Sequence, residues 1–300
     1  MEIALENTNS SRIARAMIRA RRAAGSPAMD MVLTLVVITD DETVGDALKT
    51  ANLLSREHPS RVIGVVLGRG RGAAGLHAKV RVGQDTSGES ILLRVSGELT
   101  KHAESVVLPL LLPDSPVVVW WPRNAPTNPA ADPIGKLAQR RLTDAESTTT
   151  PVRALRAVAN NYSPGDTDLS WTRLTPWRAL LAAALDQATD PVIAGEVVAG
   201  SENPAARLLV AWLESRLGVS FTVRHSETAQ IAKVVMTTEG GDVVIERIDE
   251  QSCHFSVPGS SPREVPLGAR TLAELLAEDL RRLDADDVYA ATLEHLLEKR

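Results

Sequence analysis

The sequence predicts an α/β protein of two domains, each a mixed sheet with a βαβ unit, antiparallel edge strands and flanking helices. Three observations carry this. Val32 to Ile38, VLTLVVI, is an almost unbroken apolar run, the pattern of a strand covered on both faces. Val44, Ala47, Leu48 and Ala51 then fall at helical spacing and lead to a second such run, Arg61 to Leu67. Strand, helix and strand at this length make a βαβ unit with a right-handed crossover. Finally, the order strand, helix, strand, antiparallel strands, helix recurs in the second half, without a residue repeat to accompany it.

The elements follow in chain order. Residues 1 to 10 carry no strong pattern and read as loose. The segment Ser11 to Ala24 is a helix former ended by Gly25 and Pro27, with Ile13, Met17 and Ala20 on one face. Thr39 and Glu42 have the spacing of a capping box for the next helix. Ala78, Val80 and Val82 alternate with His77, Lys79 and Arg81, and Ile91 to Val95 is the expected partner across the turn-rich GQDTSGES. Alternation means one wet face, so these read as antiparallel edge strands. Leu99, Ala103, Val106 and Leu110 share a helical face that Pro109 should end or kink. A short strand follows, ending in Trp120-Trp121, then a proline-rich loop and a short helix signal closing on Arg140-Arg141.

Thr143 to Pro151, TDAESTTTP, reads as a linker or a helix N-terminus. It places a boundary near residue 145, giving an N-terminal domain over 1–145 that holds the Trp-Trp-Pro loop and a C-terminal domain over 146–300. Three hundred residues suit two domains of ~150. In the second domain, helices are expected over 152–161, from Thr175 and from Pro204 to Leu217. Strands are expected over 191–198, 220–225, 231–237, 242–248 and 254–257. Two closing helices follow, one opened by a Thr271/Glu274 capping box and one capped by Asp284.

Composition bounds the function. With 44% hydrophobic and 24% charged residues the chain is ordinary globular material. A net charge of -5 argues against a nucleic-acid binder. The cluster Arg12, Arg15, Arg19, Arg21 and Arg22 reads as a solvated helix face. The single cysteine, Cys253, permits no intramolecular disulfide and no cysteine metal cluster. No stretch approaches the ~20 apolar residues of a membrane span, and the polar N-terminus is unlike a signal peptide, so a cytoplasmic protein is expected. There is no GxxxxGK[ST], and the glycines from Gly64 to Gly72 lack the dinucleotide spacing, although Arg69 and Arg71 among them would suit an anion. No cofactor and no metal are expected.

Two tryptophans in tandem at a strand end point to opposite faces, so one is expected in the core and the other at an interface. Arg123 follows them, and Asp132 with Arg140 and Arg141 would either form buried ion pairs or meet a partner. Trp171, in the loop SPGDTDLSW, is a second interface candidate, whereas Trp177 and Trp212 lie on apolar helix faces. Arg56, His58 and Arg61 in REHPSR form a possible anion site, set against the plain preference of helix C-termini for cations. His102 and Glu104, two apart on a helix, do not face each other and make no dyad.

A resemblance rests on these same stretches. His102, Glu104, Ser105, the run Leu108-Pro109-Leu110-Leu111, the Pro116–Pro122 strand with its WWP, Asp132-Pro133, Leu137 to Arg141 and, upstream, Ser55 to Arg61 resemble the OpcA family of actinobacteria and cyanobacteria, the glucose-6-phosphate dehydrogenase assembly proteins. The similarity extends over nearly the whole chain. It implies a non-enzymatic partner that binds glucose-6-phosphate dehydrogenase and promotes its active oligomer in the oxidative pentose phosphate pathway. It implies no residue-level mechanism. The alternative from the residues is a sugar-phosphate or nucleotide binding regulator or enzyme on an α/β core.

Overall fold

The computed structural model describes residues 1–24, 31–68, 70–83 and 88–299. Gly25, Pro27, Arg69 and the middle of the 83–90 turn lie outside the described residues. The first half runs β1 (Glu2–Leu5), α1 (Ser10–Ala23), β2 (Leu33–Thr39), α2 (Val44–Leu54), β3 (Ser60–Leu67), β4 (Gly75–Val82), β5 (Glu89–Ser96), α3 (Ala103–Val107), β6 (Val117–Trp120) and β7 (Arg140–Thr143). The second runs α4 (Pro151–Ala159), β8 (Asp166–Asp168), α5 (Leu169–Arg173), α6 (Thr175–Leu185), β9 (Val192–Ala199), α7 (Pro204–Leu217) and β10 (Phe221–His225). It ends with β11 (Ile231–Thr238), β12 (Gly241–Arg247), β13 (Ser252–Ser256), β14 (Arg263–Pro266), α8 (Leu272–Asp279) and α9 (Asp287–Glu298).

The chain forms two compact units. Unit 1 holds residues 1–144, 165–167 and 272–285; unit 2 holds 145–164, 168–271 and 286–300. Among the described residues, unit 1 carries a mixed eight-stranded sheet in the order β1-β4-β5-β3-β2-β6-β7-β8. The β2-α2-β3 unit is parallel, and β5 and β6 extend the parallel run on either side. That centre is apolar on both faces because both are covered. Ile63, Val65, Val117, Val119 and Trp121 join the core that includes Ile13 and Met17 of α1. Gly64 points the other way, where any Cβ would meet Leu48 of α2 at 2.9 Å, so α2 takes the opposite face. There α8 packs on α2.

The sheet's ends depart from expectation. The β4–β5 pair is antiparallel as read, but β5 lies inside the sheet beside β3. The edge is β1, from the segment read as loose. It pairs antiparallel with β4, and Glu2 meets Lys79 at 2.8 Å and Arg81 at 2.6 Å. The Arg140-Arg141 segment is a strand beside β6 and not the end of a helix. The Thr39/Glu42 capping box does not form. Asp40 takes its place, accepting from the Thr43 hydroxyl at 2.7 Å and from the Thr43 and Glu42 N–H groups. These bonds, led by the Thr43 hydroxyl, hold the Asp40 carboxyl below the usual carboxylate range.

Unit 2 carries a six-stranded sheet in the order β10-β9-β11-β12-β13-β14. Among the described residues only β9 and β10 are parallel there; the rest is an antiparallel meander. One sheet face supplies Val197, Val234, Met236, Ile245 and Phe255 to a core shared with α4, α5, α6, α7 and α9. β14 went unread in the sequence. The cap of α9 is Asp286, which accepts from the Tyr289 N–H at 2.9 Å, and not Asp284.

A buried carboxylate ties three of these elements together. Glu214 of α7 accepts from the Phe221 N–H at 2.8 Å, meets Lys299 at 2.6 Å and lies 3.2 Å from His295 of α9. Burial alone raises its pKa, but Lys299, the Phe221 N–H and His295 outweigh burial and hold it below the ordinary value. A depressed carboxylate stabilises the fold above its unfolded pKa and loses that contribution as pH falls through the folded one. Glu214→Gln should therefore cost about 1–3 kcal/mol near pH 7, by urea unfolding, and that difference should shrink below the carboxylate range.

Candidate partner interface

The Trp-Trp-Pro stretch is built on β6, hemmed between β2 and β7. Its indoles do point to opposite faces, but no interface is left on either side. Trp120 is 0% exposed and Trp121 is 3% exposed. The expectation of one surface indole fails because it assumed a sheet with one covered face. The backbone N–H of Trp121 donates to the Leu142 carbonyl at 2.9 Å. Among the described residues the Trp120 Nε1–H finds no acceptor.

The loop beyond is pinned onto the Trp121 ring. Asp132 accepts from the Ile134 and Gly135 N–H groups, each at 2.9 Å, and so starts a single 3-10 turn at Gly135–Leu137. Gly135 lies so close that a Cβ would run into the Pro129 carbonyl oxygen and come within 3.2 Å of the Trp121 ring. Gln139 closes the loop, its Oε1 accepting from the Val117 N–H at 2.7 Å. Asp132 is thus a turn residue and not the partner of the arginines. Arg123 is exposed, beside Asn124 in the left-handed region at φ 51°. Its charge contributes weakly to the lowering of Asp40.

Arg140 and Arg141 are both buried. Arg140 pairs with Asp279 of α8, donates to the Thr167 hydroxyl at 2.8 Å and donates to the Asp284 carbonyl at 3.3 Å. Arg141 pairs with Asp166 of β8 and donates to the Ala138 carbonyl at 2.8 Å. The two segments that return to unit 1, residues 165–167 and 272–285, are the ones these arginines hold. Gly165 makes the approach possible. At φ 94° it donates no side chain where a Cβ would strike the Gln139 carbonyl, and its own carbonyl accepts from the Arg141 N–H at 2.9 Å.

Trp171 is not in a loop but in α5, and it is 2% exposed. Its Nε1–H donates to Asp286 at 2.8 Å, its ring lies 5.5 Å from that of Tyr289, and the Arg178 guanidinium sits 3.7 Å over it. A ring with three such partners is packing, which corrects the expectation of an interface. Trp177 is buried as read.

The Arg56, His58 and Arg61 group does not converge. Arg61 turns inward and grips Glu89 with Nε at 2.9 Å and Nη2 at 2.7 Å, while its Nη1 donates to the Leu110 carbonyl at 2.8 Å. His58 Nε2 lies 3.2 Å from the Ala277 carbonyl of α8, and Arg56 is exposed. The carboxylate that sequence reasoning missed is Glu89, which also pairs with Arg21 of α1. Its signal was a lone acid opening a strand beside arginine-rich elements. His102 and Glu104 stand 3.9 Å apart at the surface.

An open depression of about 250 Å³ lies on the outer face of β1, β4 and β5, with Leu48 at its edge. Its cations are already matched, Lys79 and Arg81 with Glu2 and Arg94 with Asp41, and His77 lies against Glu6. Among the described residues no three His, Cys, Asp or Glu side chains are grouped to hold a metal ion. None of the described helices is long and apolar enough to cross a membrane. Cys253 is buried, and burial raises its pKa against the opposing charge of Arg247.

Fold and side-chain chemistry together define a mixed α/β protein of two units whose most suggestive arginines and tryptophans hold the fold. Residues 51–160 match the family model described as glucose-6-phosphate dehydrogenase subunit N-terminal domain. Residues 164–293 match the one described as its C-terminal domain. The chain belongs to the OpcA family of glucose-6-phosphate dehydrogenase assembly proteins. A curated relative, an OxPP cycle protein OpcA from Synechocystis sp. (strain ATCC 27184 / PCC 6803 / Kazusa), is 27% identical over 201 residues, which is 62% of this chain and 38% of that protein. The matched part thus spans about two-fifths of that relative's length. Among solved structures, an oxidoreductase from Sinorhizobium meliloti aligns with TM-score 0.44 and 10% identity, over 89% of this chain and 86% of that one. A dehydrogenase, MviM, from Clostridium difficile aligns with TM-score 0.41 and 8% identity, over 83% and 88%.

The clamp can be tested against Arg123, an exposed candidate. Arg140→Met strands Asp279 in the interior and should cost ~3–5 kcal/mol of stability. Arg123→Ala should stay within about 0.5 kcal/mol. Denaturant unfolding of both variants measures this. Equal stabilities would remove Arg140 from the fold and return it to the surface.

Proposed function

We propose that this protein is a non-enzymatic partner of glucose-6-phosphate dehydrogenase, acting in the oxidative pentose phosphate pathway in the cytoplasm. It acts by occupying a surface of the enzyme. The observation that carries this reading is the pair of family matches, one in each half of the chain, both described by that dehydrogenase. The relative's description as an OxPP cycle protein supports the same pathway. The side chains add a second support. Arg61, Arg140 and Arg141, the cations best suited to grip a sugar phosphate, are each spent on buried carboxylates of the fold. A protein that binds the assembled enzyme better than loose subunits drives assembly by mass action. One that binds the active conformation better raises activity by shifting its population.

The test is dehydrogenase activity and particle size, measured with purified components in the presence and absence of this chain. The proposal predicts co-elution at higher mass together with a rise in activity. No co-elution and no change in activity would overturn it. Thermal stabilisation by sugar phosphates or nucleotides would then favour the ligand-binding alternative.

A further inference from the structure

Helix α1 breaks local rules in a consistent direction. Its fourteen residues, SSRIARAMIRARRA, hold five arginines and no lysine or acid. One of them, Arg21, pairs with buried Glu89, which it shares with Arg61. The other four, Arg12, Arg15, Arg19 and Arg22, are exposed, and none forms an ion pair among the described residues. Their spacing of three, four and three places them on one face as like-charge neighbours, each such contact costing about 0.2–0.5 kcal/mol. Arg12 also sits in the first turn, where the helix dipole favours an acid. Ile18, 48% exposed, borders the same face. The opposite face is buried: Ile13, Ala16, Met17 and Ala20 belong to the core of unit 1.

A solvated helix face needs none of this, and mixed lysine and glutamate would be more stable there. Local cost without a local return is the mark of a surface that serves something else. The buried apolar face cannot turn over into a lipid bilayer, so a membrane does not fit. The chain as a whole carries -5, which disfavours a polyanion as extended as nucleic acid. A compact acidic patch beside an apolar contact fits both the arginines and Ile18, and arginine forks pair with carboxylates two bonds at a time.

We propose that the arginine face of α1 is a docking surface for an acidic protein surface, and that on the reading above this surface belongs to the dehydrogenase. Binding relieves the repulsion within the stripe, so association is steep in salt. The test uses the full chain. Arg15→Glu with Arg19→Glu reverses the centre of the stripe without touching the core. Arg153→Glu with Arg216→Glu makes the same charge change at exposed positions of unit 2. Calorimetric affinity for purified dehydrogenase is expected to fall about tenfold or more in the α1 variant and to stay within about twofold in the control.

If wild type and the α1 variant bind the dehydrogenase equally, the docking surface is wrong while the proposed function stands. If wild type does not bind the dehydrogenase at all, the proposed function fails and the surface is judged on polyglutamate. Salt-sensitive polyglutamate binding that the α1 variant loses would uphold the surface. No such binding would overturn it. Tighter binding of duplex DNA than of polyglutamate at equal salt would also overturn it, in favour of a nucleic-acid surface.

Discussion

Two adjacent arginines on one short strand decide how unit 1 is assembled. Arg140 and Arg141 leave β7 toward Asp279 and Asp166, and those acids lie on two later chain segments that return to the unit. Neither return is long. Residues 165–167 add one strand, and 272–285 add the helix that packs on α2. Residues 272–285 bury Leu275, Leu276, Ala277 and Leu280, and this apolar contact holds α8 against the unit. Charge-assisted bonds, satisfied on several sides, add to it and fix the register of both returns. Strand β6 depends on this arrangement, because its tryptophans are fully covered only when both faces of the sheet are.

The same logic runs through the other candidate residues. Arg61 and Arg21 close on Glu89, and Trp171 is boxed by Asp286, Tyr289 and Arg178. Polar and aromatic residues that resemble a binding site in the sequence form the internal scaffolding here. Outside, besides exposed Arg56 and Arg123, α1 presents a stripe of arginines on a chain of net negative charge. That contrast underlies the docking surface proposed on α1. A protein whose binding-type side chains are turned inward, and whose surface carries a single-sign stripe, is suited to hold another protein.

Much of the fold was legible. The apolar runs of β2 and β3 announced two covered faces, and Pro204 to Leu217 was bounded by its own proline and glycine. The Trp-Trp-Pro region gave its family away through particular residues, and the family matches agree. The misreadings share a cause. One indole of the Trp120-Trp121 pair and Trp171 are read by what such rings favour at interfaces, and Arg140 and Arg141 are left open between buried ion pairs and a partner, whereas burial is set by long-range neighbours such as Tyr289 and Asp279. Local pattern carries no trace of contacts over a hundred residues away. β1 was missed because four residues are too short for a period, and its pairing with β4 needs the cations of that strand. Asp40 replaced Thr39 in the turn before α2 because side-chain capping is decided by one residue's offset.

Hydrogen exchange on the full chain, with and without purified dehydrogenase, tests the account most directly. It predicts new protection along residues 10–23 and unchanged exchange across β6 and β7, whose side chains are already enclosed. Protection appearing over residues 117–143 with α1 unaltered would contradict it, placing the interface at the tryptophans and arginines assigned here to the fold.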